Sequence, residues 1–121
     1  MNRQDIFEKA VKGLASQDFE QSRAGPTACL YRGPEGRRCA IGWCIPDGHY
    51  FKNMEGKSVS SDAVLPVFGL VAAKDREDVI FLERLQEIHD NALSQAVMVK
   101  RLIAFGERNG LNPVKELGQY A

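Results

Sequence analysis

The sequence has no net charge, no long apolar run and few residues that bind metals. Its 16 basic residues balance 16 acidic residues, which disfavours a general nucleic-acid binder, because such proteins gain affinity by neutralising many phosphates. No apolar run approaches the ~20 residues that a bilayer-spanning helix needs, so we expect no membrane partner. The three cysteines form an odd set and the polar N-terminus shows no secretory signal, so we expect reduced thiols and a cytoplasmic protein.

The chain has the length of one domain and an ordinary composition. It has 121 residues, of which 44% are apolar and 26% are charged, whereas two independent cores would need roughly 200 residues or more. We therefore expect a single globular domain over residues 1–121, with a core that needs no disulfide and no metal.

Three amphipathic patterns predict helices. The first helix begins near Arg3, after a capping arrangement of polar residues. The second begins at about Asp75, the third runs from about Ser94 to Asn109, and a short helical turn follows Asn112. The expected core residues are Phe7, Val11, Leu14, Leu30, Ile41, Trp43, Leu82, Leu85, Ile88, Leu102 and Ile103.

The segment between the first two helices predicts a β-hairpin. Two β-prone runs, Thr27–Arg32 and Arg37–Ile45, flank the connector Gly33–Gly36, which has two glycines and a proline. Pro46–Gly48 would end the second strand in a turn, and His49–Ser61 has the composition of a loop. The order of elements predicts a small α+β domain: an N-terminal helix, a hairpin, two longer helices and a short C-terminal helix.

The spacing of cysteine and histidine predicts no metal site. Cys29, Cys39, Cys44 and His49 are separated by nine, four and four residues, and His89 adds another possible ligand. Zinc sites usually contain close pairs such as Cys-x2-Cys. Alternation along the predicted strand would also place Cys39 and Cys44 on opposite faces. We therefore interpret the cysteines as small apolar residues and expect no metal and no cofactor.

Cysteine catalysis is a competing hypothesis. Arg37 and Arg38 precede Cys39 and would favour its thiolate, and His89 could serve as the base of a cysteine-dependent hydrolase. Asp90 follows His89 on a helix and would point about 100° away, so we expect that it does not orient the imidazole. A histidine on an apolar helix face is more often packed than catalytic, and we expect His89 to be buried and structural.

A nucleic-acid-binding module is the second competing hypothesis. Residues 23–38 carry four arginines against one glutamate, a local charge of +3 (4 − 1). Residues 74–90 carry three cations against six carboxylates, a local charge of −3 (3 − 6). Such a dipole steers a molecule toward a polar partner, and contact of the arginines with RNA or DNA is one form this could take.

Several short motifs extend from Cys29 to Asp90. They are Cys-Leu-Tyr-Arg at 29–32, Cys-Ala-Ile-Gly at 39–42, Ile-Pro-Asp-Gly-His-Tyr at 45–50, Met-Glu-Gly at 54–56 and Leu-Gln-Glu-Ile-His-Asp at 85–90. Together they resemble a set of small uncharacterised proteins encoded by bacteriophages and prophages. Cys44 departs from that pattern, which has a small or aliphatic residue there. The resemblance brings no activity with it, but it implies a protein made in an infected or lysogenic bacterium.

Small phage accessory proteins commonly bind and block a host protein, including defence nucleases. The same role for this protein is an analogy from genomic context and does not rest on the chemistry of its residues. We therefore expect a non-enzymatic binding or inhibitor module that acts on a host protein. The expected contact residues combine apolar area with directional or adaptable groups, as interface residues do: Arg32, Arg37, Arg38, Tyr50, Phe51 and Met54.

Overall fold

The computed structural model describes residues 2–25 and 29–119, which fold into a helical domain. Its α-helices are α1 (Arg3–Ser16), α2 (Arg76–Asn91), α3 (Gln95–Arg108) and the single-turn α4 (Lys115–Gly118). No β-strand occurs among these residues, and their only β-type pairing is an isolated bridge between Arg23 and Cys29. The prediction of an α+β domain with a β-hairpin is therefore wrong. Thr27 and Ala28 of the predicted first strand lie outside the described residues.

Side chains, rather than a partner strand, satisfy several backbone N–H groups of the predicted hairpin. The N–H groups of Tyr31 and Arg32 donate to the two carboxylate oxygens of Glu55, at 2.9 and 3.0 Å. The N–H group of Ile41 donates to the Oε1 atom of Gln86 at 2.9 Å. Buried backbone groups need a partner, but a polar side chain serves as well as a second strand. These acceptors lie far along the chain, so a local β-prone composition does not anticipate them.

The predicted second strand instead winds into turns against α1. The N–H group of Trp43 donates to the carbonyl of Cys39 at 3.2 Å, and residues 42–44 form a single 3-10 turn. Gly42 lies directly against the backbone of Tyr31, since a Cβ atom at Gly42 would be 2.1 Å from the Tyr31 carbonyl oxygen. Cys39 and Cys44 are both buried, and they do not occupy opposite faces of a strand.

The start of α1 confirms the predicted capping arrangement. Asn2 Oδ1 accepts from the N–H group of Asp5 at 2.8 Å, and the Asp5 carboxylate accepts from the N–H group of Asn2 at 3.4 Å. This reciprocal pair satisfies two donors that a helix N-terminus leaves free. After α1, Asp18 and Phe19 adopt left-handed backbone conformations, with φ of 53° and 57°. The burial of the Phe19 ring offsets the cost of that conformation.

Helices α2 and α3 begin close to the predicted positions and pack against α1 and each other. Ser94 caps α3, since its hydroxyl accepts from the N–H group of Val97 at 3.2 Å. The ring of Phe105 on α3 lies between Phe7 of α1 and Phe81 of α2, with centroid distances of 5.9 and 5.1 Å. Tilted ring pairs of this kind add stabilisation beyond their buried area.

The core confirms most of the predicted apolar residues. Those that are buried are Phe7, Val11, Leu14, Ile41, Leu82, Leu85 and Leu102, and those that are half-buried are Leu30, Trp43, Ile88 and Ile103. The short C-terminal helix forms two residues later than the Pro113 position that predicted it. Among the described residues, no helix combines the length and apolar character that crossing a membrane requires.

Candidate functional site

His89 is completely buried and makes two hydrogen bonds. Its Nε2 atom accepts from the backbone N–H group of Ser22 at 3.1 Å, and its Nδ1 atom lies 2.9 Å from Asp90 Oδ1. Since a backbone N–H group can only donate, Nε2 carries the lone pair, and Nδ1 carries the proton that it donates to Asp90. The expectation that Asp90 points away from the imidazole is wrong, because the ends of two adjacent side chains can meet even where their Cβ atoms diverge.

Cys29 completes a cluster with His89 and Asp90. One potential ligand atom from each residue lies within 4.8 Å of the others. Burial and the negative charge of Asp90 raise the pKa of Cys29 to about 11, against the opposing effect of Arg23. The thiol therefore stays protonated at neutral pH. A protonated thiol is a poor nucleophile.

The hydrogen bonds of His89 oppose metal binding at this cluster. A metal on Nδ1 would require a proton on Nε2, and that proton would face the N–H group of Ser22. Metal-bound histidines instead direct their second ring nitrogen, as a donor, at an acceptor. The residue types of the cluster therefore suit zinc. The Nε2 atom of His89 does not, because it faces a donor instead of an acceptor. Of the five possible ligands that the sequence offered, only Cys29 and His89 belong to this cluster, and the described residues do not bring Cys39, Cys44 or His49 to it.

A cleft of about 780 Å³ opens beside this cluster. Cys29, Asp90, Glu83 and Glu87 contribute to its wall, together with cationic groups of Arg23 and Lys57. Cys39 also borders the cleft, but it is buried, and burial raises the pKa of its thiol well above the usual range.

The arginines that were expected to activate Cys39 are engaged with carboxylates. Arg37 pairs with Glu20 and Glu35, and Arg38 pairs with Asp47. The geometry therefore does not support the hypothesis of a hydrolase that uses Cys39 and His89.

The predicted contact residues Arg32 and Arg38 converge on one carboxylate oxygen. Their Nη2 atoms lie 2.8 and 3.5 Å from Asp47 Oδ1. The Arg32 guanidinium covers the ring of Tyr50 at 4.5 Å, and the Arg38 guanidinium covers the ring of Trp43 at 4.8 Å. Stacking on an aromatic face holds a guanidinium in place while leaving its edge available for hydrogen bonds.

Two further residues hold this arrangement, and both lie outside the predicted site. Glu55 accepts from the hydroxyl of Tyr50 at 2.7 Å. Burial, followed by the hydrogen bond to Glu55 and the charge of that carboxylate, raises the pKa of Tyr50 to about 12 against the opposing effect of Arg32, so the hydroxyl remains a donor. Gln17 Oε1 accepts from the N–H group of Arg38 at 2.9 Å and from Trp43 Nε1 at 3.1 Å.

The remaining predicted contact residues have different surroundings. Phe51 is 62% exposed, whereas Met54 is only 2% exposed and lies in the core. Met54 therefore anchors the loop and does not contribute contact area. Asp47 lies in the motif at 45–50 and Glu55 in the motif at 54–56, so the sequence pattern marked both positions. No sequence motif marked Gln17, because it lies in a polar stretch after the first helix whose composition indicates only a linker.

Comparison with known protein families, with curated proteins and with solved structures finds no match for this chain.

Proposed function

We propose that this protein is a non-enzymatic binding module of the phage accessory type, which acts on a protein of the bacterial host. The phage origin and the host partner follow only from the resemblance of the motifs. The proposed contact surface is loop 46–55 together with the guanidinium groups of Arg32 and Arg38, and the structure supports it. The observation that carries the proposal is the exposed ring of Phe51 on this anchored loop.

Phe51 has the properties of an interface anchor. Residues 46–49 and 51–53 are exposed, so the ring stands on a projecting part of the surface. Large aromatic side chains that enter a partner's pocket account for much of the energy of protein interfaces. A single exposed aromatic residue is common, however, so the ordering of its loop is the second requirement.

The loop is held at several points, which lowers the entropy that binding would cost. Glu55 bonds to Tyr50 and to two N–H groups of segment 31–32, and Met54 is buried. Arg32 adds a bond from its guanidinium to the carbonyl of Ile45 at 3.1 Å. A preorganised surface binds more tightly than one that becomes ordered on contact.

The charges around Phe51 specify the chemistry of the partner. Arg32, Arg38 and Lys52 stand against Asp47 and Glu55, a local charge of +1 (3 − 2). The two oxygens of Glu55 are already engaged within the protein. The surface therefore fits an apolar pocket with a rim of carboxylates.

The test is site-specific photo-crosslinking in bacterial cells, with a benzophenone amino acid in place of Phe51. A discrete crosslinked protein is expected at Phe51. Leu93 is the matched control, because it is a 91% exposed apolar residue in the connection between α2 and α3.

The variant Phe51→Ser should then lose the captured protein in a pull-down, whereas Leu93→Ser should retain it. Equal capture by both variants would place the contact surface elsewhere. Capture that disappears after nuclease treatment would instead identify a nucleic-acid binder.

A further inference from the structure

We infer that Arg32 and Arg38 form a binding site for an oxyanion, and that Asp47 occupies this site when no ligand is bound. The ligand class is a carboxylate or phosphate group. The inference rests on the proposed function only for the carrier of that group, a protein partner, since binding of the anion itself can be tested with small ions.

The geometry is that of an anion site with its ligand in place. Both guanidinium groups direct an Nη2 atom at the same oxygen, Asp47 Oδ1, at 2.8 and 3.5 Å. The Arg32 contact has the length of a charge-assisted hydrogen bond, and the Arg38 contact is a longer ion pair. Asp47 therefore stands in for an external carboxylate.

The two arginines are positioned independently of Asp47. Tyr50 and Trp43 support their guanidinium planes at 4.5 and 4.8 Å, and Glu55 and Gln17 hold those two rings by hydrogen bonds. The side chains of Arg32 and Arg38 are 22% and 27% exposed, so they are largely enclosed by the protein. Removal of the Asp47 carboxylate would leave the arginines in place and vacant.

Asp47 itself is weakly held. Its side chain is 82% exposed and lies in the single turn 47–49 of an exposed loop. Surface ion pairs of this exposure contribute little to stability. An external oxyanion can therefore displace it. Arg32 also has an Nε–H group without an acceptor among the described residues, so Asp47 does not use every donor of the pair.

The test compares anion binding by the wild type and by Asp47→Asn, which removes the charge and keeps the shape. Trp43 is the only tryptophan, and Arg38 covers it, so its fluorescence and its indole N–H resonance report on the site. Inorganic phosphate and acetate are titrated separately at constant ionic strength, which distinguishes phosphate from carboxylate recognition.

We expect Asp47→Asn to bind at least one of the two anions ~2- to 6-fold more tightly than the wild type, since a weakly held internal competitor lowers the apparent affinity in proportion to the fraction of sites that it leaves vacant. Asp62→Asn is the matched control, because Asp62 is exposed and the substitution changes the net charge equally. Its affinity should equal that of the wild type.

A second substitution tests the arginines. Adding Arg38→Gln to Asp47→Asn should abolish saturable binding, and Arg32→Gln provides the same test if loss of packing on Trp43 unfolds the first variant. Circular dichroism confirms that each variant is folded. The inference is overturned if Asp47→Asn binds neither anion, or if binding survives loss of either arginine in a folded protein. That result would leave the role of Phe51 intact, so failure of this inference and failure of the proposed function are distinguishable.

Discussion

Substitution of Glu55 by glutamine should lower the free energy of unfolding by more than is usual at a partly exposed position. The Glu55 carboxylate accepts three hydrogen bonds, from the N–H groups of Tyr31 and Arg32 and from the hydroxyl of Tyr50, at 2.9, 3.0 and 2.7 Å. Glutamine keeps the shape but replaces one acceptor oxygen by an NH2 group. At least one of the three donors then faces another donor.

The magnitude follows from these contacts. A hydrogen bond to a charged group contributes about 1.5–3 kcal/mol, and an unsatisfied buried donor costs about 1–3 kcal/mol. The contacts are only partly buried, so water compensates for some of the loss, and we expect a decrease of about 2 kcal/mol in the free energy of unfolding. With a typical urea dependence for a small domain, the midpoint of unfolding should fall by about 1 M.

Urea unfolding followed by Trp43 fluorescence and by circular dichroism measures this change. Glu87→Gln is the matched control, because it makes the same chemical change at an exposed position of α2 and should shift stability by less than about 0.5 kcal/mol. Tyr50→Phe removes one of the three bonds and should cost about 1 kcal/mol. If Glu55→Gln is no less stable than Glu87→Gln, the carboxylate does not organise loop 46–55 and the reasoning fails.

Four further outcomes are expected. Gly42→Ala should lower stability by about 2–4 kcal/mol, because its Cβ would be 2.1 Å from a backbone oxygen; an unchanged urea midpoint would contradict that contact. His89→Ala should cost about 2–4 kcal/mol through the cavity and the unpaired N–H group of Ser22, and calorimetry should show it as a lower melting temperature. Iodoacetamide should label Cys29 slowly at pH 8 and faster as pH approaches its pKa of about 11, whereas rapid labelling at pH 7 would refute a protonated thiol. Since this pKa is raised above the unfolded value of about 8.5, its contribution to stability is complete below that pH and is lost as pH rises through about 11. Incubation with a chelator should leave the melting temperature unchanged, and one equivalent of tightly bound zinc would contradict our interpretation of the Cys29 cluster.

The helices could be predicted from the sequence because their determinants are local. An apolar stripe, a polar cap and a terminal glycine lie within a few residues of the elements that they specify. The start of α1 near Arg3 and the bounds of α3 were predicted to within a residue or two. The burial of His89 followed in the same way, from its position on the apolar face of α2.

Local composition could not decide whether the segment between α1 and α2 forms a β-hairpin. A β-prone run becomes a strand only if another strand satisfies its backbone. In this protein Glu55 and Gln86 supply acceptors to the segment from 23 or more residues away along the chain. Which partner a backbone donor finds is decided by the packing of distant segments, and β propensity carries no information about it.

The candidate sites could likewise be predicted only in part. The residue types of Arg32, Arg38, Tyr50 and Phe51 indicated that they suit an interface, because side-chain chemistry is a local property. The convergence of two arginines on Asp47, the burial of Met54 and the raised pKa of the Cys29 thiol are properties of the tertiary structure. Burial and charge depend on neighbours that only folding brings together, so the same residue types could equally have formed a reactive thiolate.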